Sequence, residues 1–151
     1  HCVAAAPDIS RAKVTEAYAR QLGLPLVVVD NRLSPEGELR VHGVIGSVED
    51  RDVLILDDEI ITGESTLDAA AAVLARGARS VHAGCVHGTL APGAGARITD
   101  SELESLVVTD TIPQSAHAGG DERFSVVSVA ELFADAIQAI HQETSISALF
   151  R

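Results

Sequence analysis

Two adjacent carboxylates, Asp57 and Asp58, follow an apolar run and precede a short turn that is rich in hydroxyl groups. Paired carboxylates can accept hydrogen bonds from a vicinal diol or hold a hydrated Mg²⁺ ion. The turn and the helix predicted after it offer hydroxyls and backbone N–H groups, which suit a phosphate. A diol acceptor beside a phosphate cradle fits a sugar phosphate. The candidate binding residues are Asp57, Asp58, Thr62, Gly63, Glu64, Ser65 and Thr66.

The same segment has a simpler interpretation as the start of a helix. Ser65 and Asp68 have the spacing of a capping box, and Glu64 would favour the positive end of the helix dipole. Two aspartates after a strand also occur as solvated turn residues. On the residues alone, a binding site and a capped helix both stay open.

Apolar runs alternate with helical patterns along the chain, which indicates a parallel sheet with helices on both faces. We predict an α/β fold with a mainly parallel sheet of about five strands. Residues 31–39 and 57–64 are predicted as loops, and ligands are expected where strands end, near Asp8 and the Asp57–Asp58 pair. The apolar runs are residues 2–6, 26–29, 41–45, 53–56, 81–86, 106–109 and 124–127, and the helical patterns are residues 11–22, 65–76 and 129–141.

The composition of the 151 residues is that of a globular domain and argues against two classes of partner. A formal net charge of -11, with 11 Lys and Arg against 22 Asp and Glu, argues against a nucleic-acid binder. No apolar run is long enough to span a membrane.

With two cysteines and no signal peptide, we expect a reduced, cytoplasmic protein with one domain over residues 1–151. The first residue is not Met, so the chain is either cut from a longer protein or carries a leftover tag residue.

The pattern Asp-Asp-x-x-x-Thr-Gly-x-Ser at residues 57–65 resembles the 5-phosphoribosyl diphosphate (PRPP) motif of type I phosphoribosyltransferases. Nearly the whole chain resembles the C-terminal half of the ribose-phosphate diphosphokinases, also called PRPP synthetases. The final stretch Ser-Ile-Ser-Ala-Leu-Phe is the most specific of these similarities. The segments that carry the resemblance are residues 6–8, 11–13, 29–32, 44–46, 86–88, 106–113, 128–130, 136–137, 140–141 and 145–150.

This resemblance implies a fold, a reaction and a set of roles. The fold would be that of type I phosphoribosyltransferases, and the activity would transfer diphosphate from ATP to the 1-hydroxyl of ribose 5-phosphate. Asp57 and Asp58 would hold the ribose hydroxyls and, with Asp8, a Mg²⁺ ion, while residues 62–66 would grip the 5-phosphate. The partners would be ribose 5-phosphate or PRPP, ATP, and further copies in a homo-oligomer. The family's N-terminal half, which brings ATP-binding groups, is absent from these residues, so we expect this domain alone to be inactive.

Several departures from the family pattern affect the expected chemistry. Asn31 and Leu33 stand where the family has Lys and Arg, which leaves Arg32 as the candidate catalytic cation, with Arg40 as a second possible cation. The Pro-Asp to Arg-Ala segment at residues 7–12 is about three residues shorter than the family's, and Glu64 replaces a small residue in the phosphate loop. Two alternatives therefore stay open: a catalytically degenerate homologue that acts as a regulatory or assembly subunit, and a stand-alone type I phosphoribosyltransferase.

Overall fold

A computed structural model describes residues 1–33, 39–114 and 122–150 of the chain. Strands and helices alternate along most of it, as the hydrophobic pattern predicts. The strands are β1 (Cys2–Ala6), β2 (Leu26–Leu33), β3 (Leu39–Ile45), β4 (Asp52–Ile60), β5 (Ser80–Gly88), β6 (Ser105–Thr109) and β7 (Phe124–Val127). The helices are α1 (Ala12–Leu22), α2 (Glu64–Leu74), α3 (Ala94–Thr99) and α4 (Ala130–His141), with 3₁₀ turns at Ile9–Arg11 and Ile146–Phe150.

The seven strands form one sheet in the order β3-β2-β1-β4-β5-β6-β7. All neighbours pair in parallel except β2 and β3, which form an antiparallel pair. The prediction of about five strands is therefore wrong in number: each of the seven apolar runs forms a strand, including the edge strands β3 and β7. The β1-α1-β2 and β4-α2-β5 crossovers run in opposite directions across the sheet. Since such crossovers are right-handed, α1 and α2 lie on opposite faces.

The core is aliphatic and lies mainly between the central strands and α2. Alternate residues of β4, Val53 and Ile55, are 0% exposed, as are Val81 in β5 and Val73 in α2. This alternation follows from the pleat, which points successive side chains to opposite faces of the sheet. Burial of one complete face fixes the register of the strands, and so fixes where β4 presents its carboxylates.

Both loops predicted around the site are shorter than expected. β2 runs to Leu33 and β3 begins at Leu39, and β4 continues to Ile60, which pairs with Gly88 of β5. The apolar signal ends before these positions, but parallel and hairpin pairing uses backbone hydrogen bonds and tolerates polar side chains. Asp57 and Asp58 are therefore strand residues rather than loop residues. The rest of the first predicted loop, residues 34–38, lies outside the described residues.

Helix α4 forms where the sequence predicts an amphipathic helix, but its apolar side chains remain largely exposed. Ile137 is 65% exposed and Ile140 is 67% exposed, and Leu132 and Phe133 are also exposed. A stripe of this kind on a helix usually faces a packing partner. In the described part of the chain, no helix is long and apolar enough to cross a membrane.

Candidate functional site

The guanidinium group of Arg11 lies against both carboxylates near the end of β4. Its Nε atom is 3.2 Å from Asp57 Oδ1, and its Nη1 atom is 2.5 Å from Asp58 Oδ2. Asp57 Oδ1 also accepts a hydrogen bond from the backbone N–H of Asp58, at 2.8 Å. The second oxygen of Asp58, Oδ1, is buried and has no hydrogen-bond partner among the described residues. One arginine thus partly neutralises the charge of the pair.

Local hydrogen bonds place Arg11 at this position. Asp8 caps the 3₁₀ turn after β1, because its Oδ1 accepts from the backbone N–H of Arg11 at 3.1 Å and from the Ser10 hydroxyl at 2.5 Å. One turn later, the Thr15 hydroxyl bonds to the carbonyl oxygen of Leu56 at 3.3 Å. The start of α1 is therefore tied to β4 one residue before the carboxylates. Asp8, which the family resemblance assigns to a metal, serves in this structure as a cap.

The two carboxyls have different pKa values because their surroundings differ. Burial is the largest cause that raises the pKa of Asp57 to about 6, and the adjacent Asp58 adds to it while Arg11 opposes it. Burial also acts to raise the pKa of Asp58, but hydrogen bonds from its neighbours and the charge of Arg11 outweigh it and lower that pKa. As the pH falls, Asp57 is therefore the member of the pair that takes up a proton first.

The turn after β4 leads into α2 through a glycine in the left-handed conformation. Gly63 is the N-cap with φ 81, and no side chain caps it. The helix begins at Glu64, so the capping-box interpretation of Ser65 and Asp68 is wrong. The first-turn N–H groups have no partner within the helix. The N–H of Glu64 makes a long bond of 3.4 Å to the hydroxyl of Thr62, which precedes the helix. An uncapped N-terminus beside the end of β4 suits an anion.

The side chains of the predicted phosphate loop differ in exposure. Thr62 and Glu64 are exposed, Ser65 is half-buried, and Thr66 is 2% exposed. Glu64 thus faces solvent, which reduces its repulsion of a phosphate in the turn. The roles that the family resemblance gives to residues 62–66 remain predictions.

Arg97 lies beside the same turn and was not singled out by the sequence. Its Nη2 and Nε atoms donate to the carbonyl oxygen of Thr62 at 2.7 and 3.3 Å. The next residue, Ile98, packs behind Gly63, where a Cβ atom would lie 3.6 Å from Ile98 Cγ1. Helix α3 therefore supports the turn from behind and adds a positive charge beside it. The signal in the sequence was weak, because α3 is short and the residues before it are rich in glycine.

The candidate catalytic cation, Arg32, is engaged with a neighbour in β2. Its Nε and Nη2 atoms donate to the two carboxylate oxygens of Asp30 at 2.6 and 2.7 Å, and this bond lowers the pKa of Asp30. Between them, Asn31 is 7% exposed, and neither polar atom of its side chain has a partner among the described residues. In the described part of the chain, Arg32 makes no contact with the carboxylates of β4.

The arrangement does not fit a protein-bound Mg²⁺ ion while Arg11 is in place. Among the described residues, no group of three or more His, Cys, Asp or Glu side chains could hold a metal ion. A cation at Asp58 Oδ2 would also lie beside the guanidinium, and like charges repel strongly at that distance. The assignment of a metal to Asp8, Asp57 and Asp58 stays a prediction.

An apolar pocket of about 220 Å³ adjoins the carboxylates on the face of the sheet that carries α1. Tyr18, Leu56, Gly84, Val107 and Thr109 line it, together with Asp57.

Comparison with known proteins connects this geometry to a family. Residues 38–151 match the family described as the phosphoribosyl synthetase-associated domain. The chain belongs to that family. It is 40% identical over 144 residues to a ribose-phosphate pyrophosphokinase of Rhizobium meliloti (strain 1021), a match that covers 95% of this chain and 46% of that protein. A ribose-phosphate pyrophosphokinase of Brucella melitensis is 36% identical over 150 residues, or 99% of this chain and 48% of that protein.

The fold comparison agrees with the family. The crystal structure of phosphoribosylpyrophosphate synthetase from Mycobacterium smegmatis matches this fold with a TM-score of 0.82 and 29% sequence identity. The match covers 94% of this chain and 45% of that chain. The resemblance to PRPP synthetases is therefore confirmed. The chain spans about half the length of the curated relatives it matches.

Proposed function

We propose that this chain is the ribose 5-phosphate-binding half of a PRPP synthetase-like protein and corresponds to the C-terminal half. The observation that carries the proposal is the adjacency of two groups at one sheet edge. Strand β4 carries the carboxylates of Asp57 and Asp58 near its end, and the uncapped N-terminus of α2 begins at Glu64, only a short turn later. The first group matches sugar hydroxyls and the second matches a phosphate.

In this proposal, the unpartnered oxygen of the carboxylate pair receives a ribose hydroxyl. Asp58 Oδ1 has no partner in the described part of the chain, and a ribose hydroxyl would reach this covered oxygen after a shift of the partly exposed Asp58 side chain. The 5-phosphate lies at the turn of residues 62–66, where backbone N–H groups and the positive end of the α2 dipole stabilise its charge. Arg97 supports this turn and adds a positive charge close by.

For the whole protein we propose the family reaction, the transfer of diphosphate from ATP to the 1-hydroxyl of ribose 5-phosphate. ATP is then the co-substrate and Mg²⁺ the expected cofactor of the whole protein. Phosphoryl transfer depends mainly on positioning and on neutralising charge, so the cations come largely from elsewhere in the protein. We further propose a homo-oligomer, because the exposed apolar side chains of α4 are suited to a subunit contact.

A second function is favoured by the residues of β2. Asn31 stands where the resemblance predicts a lysine, and Arg32 is held by Asp30. A chain that binds the sugar phosphate but lacks these cations would act as a regulatory or assembly subunit.

The two functions are separated by assaying the natural gene product for AMP release from ATP. Release that depends on ribose 5-phosphate supports the synthetase. Binding of ribose 5-phosphate without AMP release supports the regulatory subunit. Asp58→Asn should abolish both AMP release and the binding of ribose 5-phosphate. Glu16→Gln, a change at an exposed residue of α1, should leave AMP release and binding unchanged. If ribose 5-phosphate does not bind at millimolar concentration, the site assignment fails.

A further inference from the structure

Arg11 occupies the position near the end of β4 where a metal ion would meet the carboxylates. We infer that Arg11 is the built-in counter-ion of the Asp57–Asp58 pair and makes the pair an acceptor for hydroxyl groups instead of a ligand set for a divalent cation. The inference deepens the proposed function and rests on it for the identity of those hydroxyls as ribose hydroxyls.

The first argument is the occupation of the carboxylate oxygens. Asp57 Oδ1 is shared by the backbone N–H of Asp58 at 2.8 Å and by Arg11 Nε at 3.2 Å. Asp58 Oδ2 is taken by Arg11 Nη1 at 2.5 Å. A Mg²⁺ ion demands near-octahedral oxygen ligands at about 2.0–2.1 Å. It would have to displace the guanidinium from both carboxylates before it could use these oxygens.

The second argument is that the position of Arg11 is built by its surroundings. Asp8 fixes the backbone N–H of Arg11, and the Thr15 hydroxyl bonds both to the Arg11 carbonyl at 3.0 Å and to the Leu56 carbonyl. The backbone of Arg11 is therefore anchored to β4 on the C-terminal side and to the β1 turn on the N-terminal side. This anchored backbone places the partly exposed Arg11 side chain, which is 37% exposed, against both carboxylates.

The third argument concerns what the pair still offers to a ligand. Asp58 Oδ1 remains as a buried acceptor without a partner among the described residues, although the Asp58 side chain as a whole is 44% exposed. An unpartnered oxygen next to a neutralising cation suits an O–H donor, which brings no charge of its own. A divalent cation needs several such oxygens, so the same arrangement disfavours it.

The test uses Mn²⁺ alone, without any sugar phosphate, as a paramagnetic probe of the protein. In the wild type we expect no selective broadening of the amide signals of Asp57 and Asp58. In Arg11→Met, which keeps an unbranched side chain but removes its charge, we expect that broadening and a gain of about tenfold or more in Mn²⁺ affinity. Arg11→Lys keeps the charge and should resemble the wild type. Arg20→Met removes an exposed arginine that pairs locally with Glu16, and it should also resemble the wild type.

Selective broadening at Asp57 and Asp58 in the wild type would overturn the inference, as would an Arg11→Met protein with unchanged Mn²⁺ affinity. Broadening in the wild-type spectrum would overturn the inference even if Arg11→Met does not fold. Because no ribose 5-phosphate is present, these results are independent of the proposed substrate. A protein that excludes Mn²⁺ as expected but binds no ribose 5-phosphate would refute the proposed function and leave the role of Arg11 standing.

Discussion

Replacing Asp57 by an asparagine should change how the stability of the fold depends on pH. Asp57 is 7% exposed, and burial, reinforced by the neighbouring Asp58, raises its pKa from 3.8 to about 6. In the unfolded chain this carboxyl has its ordinary pKa. Between these two values the folded protein keeps a proton that the unfolded chain has lost, so the free energy of unfolding falls as the pH rises. The contribution is fully present below the unfolded pKa and is lost above about pH 6.

The magnitude follows from the two pKa values. A change from 3.8 to about 6, at about 1.4 kcal/mol for each pKa unit, corresponds to about 3 kcal/mol. The amide side chain of the Asp57→Asn variant has no titratable proton, so the difference in unfolding free energy between the wild type and this variant reports the loss of the Asp57 carboxyl and its effect on Asp58. We expect that difference to move by about 3 kcal/mol between about pH 3.5 and pH 7.5, with the variant becoming relatively more stable at the higher pH.

Urea unfolding followed by circular dichroism at a series of pH values measures this difference. Asp135→Asn, at an exposed position of α4, is the control, and its difference from the wild type should stay nearly constant. A constant difference for Asp57→Asn as well would refute the reasoning, because Asp57 would then titrate alike in the folded and unfolded states. A difference that moves in the opposite direction would show that Arg11 outweighs burial.

Three further predictions concern the turn, its support and the core. Gly63→Ala should weaken ribose 5-phosphate binding and lower the unfolding free energy by about 1 kcal/mol, since the φ of 81 at Gly63 disfavours a side chain. The control is Gly77→Ala, which has a φ of 84 but lies away from the site. It should lower the stability in thermal unfolding by the same amount and leave binding in calorimetry unchanged. Arg97→Gln should raise the Kd for ribose 5-phosphate by about three- to tenfold, because the turn loses its support and a nearby charge, and an unchanged Kd would remove Arg97 from the site. Leu106→Ala, at a position that is 0% exposed, should lower the unfolding free energy by about 2–5 kcal/mol in urea, and a loss below about 1 kcal/mol would contradict the described packing.

The general fold could be predicted because local patterns and tertiary packing agree over most elements. The apolar run at residues 2–6 matches β1, and α1 ends at Leu22 before Gly23, which adopts the left-handed conformation expected of a helix stop. The extent of β4 could not be read from hydrophobicity, because its last residues are largely polar and are held by backbone pairing with β5. The same limit applies to β2 beyond Asp30.

The candidate site was predictable in its main residues but not in its charge balance. The motif identifies Asp57 and Asp58, because two carboxylates after a buried run are visible in the sequence. The contact of Arg11 with Asp58 joins residues 47 positions apart and depends on how the start of α1 packs against β4. The contact of Arg97 with Thr62 likewise joins residues 35 positions apart. Such contacts arise from the packing of elements, so periodicity and spacing do not reveal them.

The most direct test of the account is a comparison of two sugar phosphates in a titration of the isotope-labelled protein followed by NMR. Ribose 5-phosphate should bind and shift the amide signals of Asp57, Asp58 and residues 62–66. The 2-deoxy sugar lacks one hydroxyl that the carboxylate pair would accept, so we expect it to bind about tenfold or more weakly. Equal affinities for the two sugars, or signal shifts confined to other parts of the chain, would contradict the claim that these carboxylates and this turn form the sugar-phosphate site.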